Sequence, residues 1–330
     1  MSVFTDLVDV ASERLGGTVL LANDEFFAPA ENLLKPAKPV WKEGDYTDRG
    51  KWMDGWESRR RRTPGHDWCL IRLGCRAVVR GVVVDTAFFR GNHPEACSID
   101  ACAVDHDTDP ARLAQAGPEV WQEILPPAPL EGDQQNSFPI TAALSFTHLR
   151  LNIHPDGGVA RLRVYGEPAR DPRLVPGVPA DLAALTNGGL VIACSDMSFG
   201  NRHHLNLPGH STHMGDGWET RRRRGPGNDW SILRLAARGA IDTIEIDTDH
   251  FKGNAPESAI VDVCDIRDAS PERLTGGAVE WVTILPRTPL EPDSRHLYSA
   301  TRIVPATHAR LSIFPDGGIA RLRLLGKVVG

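Results

Sequence analysis

No uncharged apolar run in the 330-residue chain approaches the ~18 residues of a membrane-spanning helix. The start, MSVFTDLVDVASERL, lacks the basic opening and continuous apolar stretch of a signal peptide. Basic charge is not in excess either. There are 37 Lys and Arg against 43 Asp and Glu, a net charge of −6, so the overall field would not hold a polyanion and nucleic acid is not an expected partner. The six cysteines (Cys69, Cys75, Cys97, Cys102, Cys194 and Cys264) include no CxxC pair, and in a chain this long they do not make a disulfide scaffold. A Walker loop, a GxGxxG turn after a strand and a GxSxG elbow are all missing, which removes the common nucleotide-binding and serine-hydrolase chemistries. What is present is ordinary globular composition, 41 % apolar and 24 % charged. These features lead us to expect a cytoplasmic protein with no membrane partner. At roughly 150 residues per domain, the length suggests two domains.

The chain is written twice. DGWESRRRRTPGHDW (Asp54 to Trp68) returns as DGWETRRRRGPGNDW (Asp216 to Trp230), with 12 of 15 positions identical. DTAFFRGNHPE (Asp85 to Glu95) returns as DTDHFKGNAPE (Asp247 to Glu257), again at an offset of 162. WQEILPPAPLEGD (Trp121 to Asp133) and PDGGVARLR (Pro155 to Arg163) return at an offset of 160 as WVTILPRTPLEPD (Trp281 to Asp293) and PDGGIARLR (Pro315 to Arg323). An offset this constant means a shared fold, and a period near 160 is a duplicated domain, too long for a solenoid unit. Gly166 to Pro179, with four prolines and two glycines in fourteen residues, has linker composition. The expected division is therefore 1–168 for the first repeat, 169–178 for the linker and 179–330 for the second repeat.

Each copy contains short segments rich in Val, Ile, Leu and Phe. Trp68 to Gly74, Val78 to Phe89 and Leu149 to His154 in the first copy match Ser231 to Ala237, Ile241 to Phe251 and Ala309 to Phe314 in the second. IDTIEIDT alternates apolar and polar residues, which suits a half-buried antiparallel strand. Helical signal is limited to Asp6 to Arg14 and to the TDPARLAQAG and ASPERLTGG segments, where Asp or Ser precedes Pro. The expected fold class is all-β, two tandem β-sandwich or jelly-roll domains of about eight strands each.

Two repeated motifs and a set of unrepeated histidines are the candidates for chemistry. The arginine runs Arg59, Arg60, Arg61, Arg62 and Arg221, Arg222, Arg223, Arg224 follow Glu57 and Glu219. In an extended run alternate guanidinium groups face opposite sides, so two per copy could grip a carboxylate. Acids bracket each run, so a structural ion-pair network is the alternative. GN-x-PE places Asn92 and Glu95, then Asn254 and Glu257, on a loop after an apolar strand. An amide beside a carboxylate can read a urea-type group, although Gly, Asn and Pro also suit an ordinary turn. His93 stands where the second copy has Ala255; His66 faces Asn228 and His154 faces Phe314, so the copies can differ in function. His203, His204, His210 and His213 have a spacing like that of metal ligands, but they lie in a loop-like stretch with no paired motif, so no metal or other cofactor is assigned. Asp54, Gly55 and Trp56, with Asp216, Gly217 and Trp218, are expected to serve the fold: Asp-Gly for a turn and Trp for a core.

Together the duplicated DGWE-(S/T)-RRRR…DW, GN-x-PE and PDGG-(V/I)-ARLR segments, with NDEFFAPAENLL (Asn23 to Leu34), resemble the allantoicase family over nearly the whole chain, in order and in both copies. The resemblance implies two jelly-roll repeats similar to galactose-binding-like domains. It implies hydrolysis of allantoate to ureidoglycolate and urea in purine degradation, and a homo-oligomer. Set against that chemistry, Glu57, His93, Glu95, Glu219 and Glu257 are the candidates for proton transfer. The arginines of both runs, with Asn92 and Asn254, are the candidates for holding substrate. A non-catalytic tandem module that binds a small polar or anionic ligand is the competing reading.

Overall fold

The computed structural model describes residues 4–329 and divides between Glu167 and Pro168 into two compact units. The first unit contains strands β1 (Val8–Asp9), β2 (Thr18–Ala22), β3 (Tyr46–Thr47), β4 (Gly50–Lys51), β5 (Trp56–Glu57), β6 (Asp67–Asp85), β7 (Ala96–Cys102), β8 (Gln122–Pro129), β9 (Gln135–Pro139), β10 (Phe146–His154), β11 (Gly158–Val159) and β12 (Arg161–Pro168). The second contains β13 (Pro179–Asp181), β14 (Leu190–Cys194), β15 (Trp218–Glu219), β16 (Asp229–Asp247), β17 (Ser258–Cys264), β18 (Val282–Pro289), β19 (Arg295–Ser299), β20 (Pro305–Phe314), β21 (Gly318–Ile319) and β22 (Arg321–Val328). Among the described residues, the α-helices are α1 (Pro110–Gln115) and α2 (Pro271–Thr275). Both begin as their sequences suggest: Asp109 Oδ1 accepts from the Ala111 amide, and Ser270 Oγ accepts from the Arg273 amide, just before proline in the first turn.

One long strand organises each sandwich. The start of β6 pairs with β2 and β10, and its end pairs with β9. In the second unit β16 does the same: Asp229 to Arg234 pair with β20, and Gly239 to Asp247 pair with β22. Each long strand therefore belongs to both layers. Leu233, Leu311 and Ile313 from one layer meet Ile244, Ile246, Leu322 and Leu324 from the other in a single buried cluster. The all-β expectation holds. The segmentation differs: the two runs read as separate strands, Trp68 to Gly74 and Val78 to Phe89, form one 19-residue strand that ends at Asp85. Cys75 to Ala77 stay extended because the strand must pass between layers.

Asp6 to Arg14 is not a helix. Val8 and Asp9 pair with Gly166 and Tyr165 of β12, flanked by the 3-10 turns Phe4–Asp6 and Glu13–Leu15. Burial of Val8 and Val10, together with the Asp9 carboxylate accepting from the Ala11 and Val164 amides, outweighs the local helical pattern. The segment with linker composition is not wholly exposed: Asp171 is buried, and Leu174 joins the core cluster of the second unit.

Candidate functional site

The repeated motifs meet at one corner of each unit. In the first, β5 of DGWE pairs with β11 of PDGG, Glu57 opposite Gly158 and Trp56 opposite Val159. Trp56 is fully buried, and its indole N–H donates to the Asp24 carbonyl at 2.8 Å. Trp218 repeats this with Asp196. Asp54 is buried against Arg161, the first arginine of ARLR, at 2.7 Å. The same guanidinium donates to the carbonyls of Asp54, Ala160 and Ala37. Burial alone would raise the Asp54 pKa, but the Arg161 hydrogen bond, the Val40 amide and the charges of Arg161 and Lys35 hold it below its ordinary value. Trp56 and Asp54 thus serve the fold, as the sequence suggests.

The glycines of PDGG bring the GN loop to this corner. A Cβ at Gly158 would collide with the Phe89 ring, and one at Gly157 would sit 2.7 Å from the Asn92 carbonyl oxygen. With both absent, the Gly158 amide donates to that carbonyl at 2.8 Å. The Asn92 side chain then donates to Glu57 Oε1 at 2.7 Å. The second unit forms the same pair, Asn254 to Glu219 at 2.5 Å, with Met214 Sδ 3.4 Å from the same amide nitrogen. Burial pushes the Glu57 carboxyl above its ordinary pKa, and the Asn92 amide offsets this only in part.

The arginine run is irregular chain, and its members do alternate. Arg59 binds Asp24 Oδ2 through Nε and Nη2, both at 2.7 Å, and lies 5.1 Å from the Phe26 ring centre. Arg61 donates its amide to Asp156 at 2.8 Å and its guanidinium to buried Asp67 at 2.6 Å. Arg221 and Arg223 pair likewise with Asp196 and Asp229. The odd members therefore form the ion-pair network that the sequence left open. Arg60, Arg62, Arg222 and Arg224 are exposed and make no hydrogen bond or ion pair with a described residue.

Glu95 and Glu257 are exposed at the start of β7 and β17, and their carboxylates bond neither to the loop asparagine nor to the run. His93 Nδ1 lies 3.1 Å from the Arg90 carbonyl. The rings of His66 and His154 meet at a tilt of 52° with centres 4.7 Å apart, and His154 Nε2 lies 3.0 Å from Ser98 Oγ. Of the four histidines before the second DGWE, His210 alone joins a group that could hold a metal among the described residues, with Asp247 and Asp249. All six thiols are free, and burial raises each of them. Asp67 and Asp229 are among the acids that bracket each run in the sequence, whereas Asp24, 35 residues before Arg59, carries no signal of its role beyond its place in a repeated motif.

The model of the family described as "Allantoicase repeat" matches residues 8–169 and again 180–329. This chain belongs to the allantoicase family. A probable allantoicase of Pseudomonas paraeruginosa is 47 % identical over 98 % of this chain and 97 % of its own length. One of Nocardia farcinica is 47 % identical over 99 % and 96 %. The crystal structure of the allantoicase of Saccharomyces cerevisiae is 35 % identical, covers 97 % of this chain and 92 % of its own, and superposes with a TM-score of 0.76. The family model matches both repeats, and each contains the corner built by DGWE, GN-x-PE and PDGG.

Proposed function

We propose that the Glu57–Asn92 pair of the first repeat is the reacting centre of this allantoicase, which hydrolyses allantoate to ureidoglycolate and urea. Allantoate carries a carboxylate and two ureido groups on one carbon. Hydrolysis forms a C–O bond from water to that carbon and breaks the C–N bond to one ureido nitrogen. Glu57 accepts the proton of the attacking water, and a proton delivered to the departing nitrogen completes urea. His93, one residue along the same loop, is the donor in this scheme, with exposed Glu95 as the alternative. The Asn92 amide N–H is engaged by Glu57, which leaves its carbonyl oxygen to accept from a ureido N–H. Arg60 and Arg62, the members of the run without a protein partner, hold the substrate carboxylate. Arg59 and Arg61 shape the loop that presents them.

One observation carries the reading: a carboxylate raised above its ordinary pKa, held by an amide that can itself address a ureido group. The second repeat keeps Glu219, Asn254 and the free Arg222 and Arg224, but it has Ala255 in place of His93. We assign it binding without turnover. Urea release from allantoate tests this. Glu57→Gln should lower kcat on the order of 100-fold or more, while Glu219→Gln retains turnover. Equal losses in the two variants would overturn the assignment. The proposal extends to two separately folded repeats joined near residues 169–178. It also includes a homo-oligomer in the cytoplasm and no nucleic-acid or membrane partner. The net charge of −6 and the lack of a helix long and apolar enough to cross a membrane, among the described residues, support the last two points.

A further inference from the structure

The second unit contains another concave site, built by β16, β19 and the ARLR segment rather than by Glu219 and Asn254. A cavity of about 190 Å³ is lined by His210, Glu245, Asp247, Arg295, Arg321 and Arg323. Three buried polar atoms of these residues have no hydrogen-bond partner: Asp247 Oδ2, Arg321 Nε and Arg323 Nη1. Asp247 is 1 % exposed and Arg321 3 %. Their remaining polar atoms are committed. Asp247 Oδ1 accepts from the Asp249 amide at 2.8 Å, Arg321 Nη1 donates to the carbonyls of Asp216 and Ala320, and Arg323 Nη2 donates to that of Gly209 at 2.8 Å. Buried unanswered groups of this kind are costly, and native proteins answer them with water or a ligand.

The first unit closes most of the same place with its own chain. Two of the three atoms are answered there: Gln135 donates to Asp85 Oδ2 at 3.1 Å and Arg161 Nε donates to the Ala37 carbonyl at 3.0 Å, while Arg163 Nη2 donates to the Pro36 carbonyl at 3.2 Å and Arg163 Nη1 has no hydrogen-bond partner, like Arg323 Nη1. The sequence explains the difference. Asp24 precedes Asp54 by 30 residues, but Asp196 precedes Asp216 by only 20, so the second unit lacks the longer loop that supplies Pro36 and Ala37. Glu245 and Arg295 stand where the first unit has Val83 and Gln135. Arg295 pairs with Glu245 at 2.8 Å instead of capping Asp247.

We propose that this cavity is a second binding site, separate from the Glu219–Asn254 corner, for a small ureido carboxylate. The unanswered guanidinium N–H groups call for a carboxylate or carbonyl, and the unanswered Asp247 oxygen calls for an N–H donor. A ureido acid offers both within a few ångströms. A divalent cation would satisfy Asp247 and His210, which with Asp249 offer ligand atoms within 4.8 Å of one another. It would leave the donors of Arg321 and Arg323 unanswered and add positive charge beside three guanidinium groups. Burial raises the Asp247 pKa, as expected for a carboxylate whose neighbours do not fully compensate it. The ligand class includes the substrate and product of the reaction, so the site would let their concentration bear on the enzyme.

The test is isothermal titration of the full chain with N-carbamoylglycine, which has one ureido group and one carboxylate and no second leaving group. Arg295→Gln installs the residue that closes the first unit, at a largely exposed position where folding is retained. It should weaken binding on the order of tenfold, as should Arg323→Met, with Glu57→Gln and Glu219→Gln each removing at most the binding event of its own corner and leaving this one in place. Urea and acetate, each carrying half the recognition, should bind more weakly than the intact probe. Unchanged binding in Arg295→Gln and Arg323→Met would overturn the proposal. Loss of all binding in Glu57→Gln alone would refute it as well, while supporting the reading of the first repeat. Tight binding of Mn²⁺ alone that His210→Ala abolishes would replace the ureido acid with a metal.

Discussion

The arginine run is divided by its partners, and that division predicts a crossed pattern of stability and activity. Arg61 is 27 % exposed and holds Asp67, whose side chain is 2 % exposed, at 2.6 Å. Removing its guanidinium leaves a buried carboxylate with Asn23 as its remaining side-chain donor. Breaking a buried pair costs about 3–5 kcal/mol; the partial exposure of Arg61 and the surviving Asn23 bond reduce the expected cost of Arg61→Gln to about 2–3 kcal/mol. For a domain of this size each kcal/mol moves Tm by about 2–4 °C, so the loss should be about 4–12 °C. Arg59 is 63 % exposed on Asp24, so Arg59→Gln should cost only about 0.5–1 kcal/mol. Arg60→Gln and Arg62→Gln remove groups without a protein partner and should leave Tm unchanged within about 0.5 kcal/mol. Urea release should show the reverse order, with Arg60→Gln and Arg62→Gln raising KM on the order of tenfold and Arg59→Gln changing it little. Thermal denaturation and an allantoate assay on the same four variants decide the matter. Equal loss of Tm at Arg60 and Arg61, or full activity in both Arg60→Gln and Arg62→Gln, would refute the division.

Arg161→Met should lower Tm by more than Arg61→Gln, because it strands Asp54 beneath the surface; a calorimetric scan showing no change would contradict the role given to this pair. The folded-state pKa of Asp54 is depressed, so the pair's contribution is full above the ordinary value of 3.8 and is lost as pH falls through the lowered one. Wild-type protein should therefore lose stability relative to Arg161→Met in acid melts below that value. Glu57 is raised, so the base form develops above 4.5, and the acid limb of kcat against pH should lie above the ordinary carboxylate range; Glu57→Gln should abolish that limb. Gly158→Ala forces a methyl group into the Phe89 ring. It should disrupt the Glu57–Asn92 corner, with reduced expression or Tm as well as reduced urea release, whereas Gly91→Ala, in open space, should leave Tm nearly unchanged.

The sequence by itself determined the duplication, the all-β class and the family, because each is written as local pattern. Twelve identical positions in fifteen and a nearly constant offset survive without any knowledge of contacts. The caps of α1 and α2 were legible for the same reason, since Asp109 and Ser270 act within one turn. The Asp6 to Arg14 segment has a helical local pattern, yet pairing with β12, some 155 residues away, decides its backbone. Period alone could not tell that β6 runs on through both layers, since nothing local marks where a strand passes from one layer to the other. The alternation within the arginine run followed from chain geometry, but which pair is neutralised did not. Asp67, which neutralises Arg61, is only six residues along the chain, but Asp24, which neutralises Arg59, lies 35 residues away, and Asp156, which fixes the Arg61 backbone amide, lies 95 away. The meeting of Glu57 with Asn92 is likewise tertiary: two motifs 35 residues apart touch because two glycines of a third remove the Cβ atoms that would keep them apart. Local sequence encodes propensity and repetition, whereas long-range packing selects which polar groups are buried, paired or left free for chemistry.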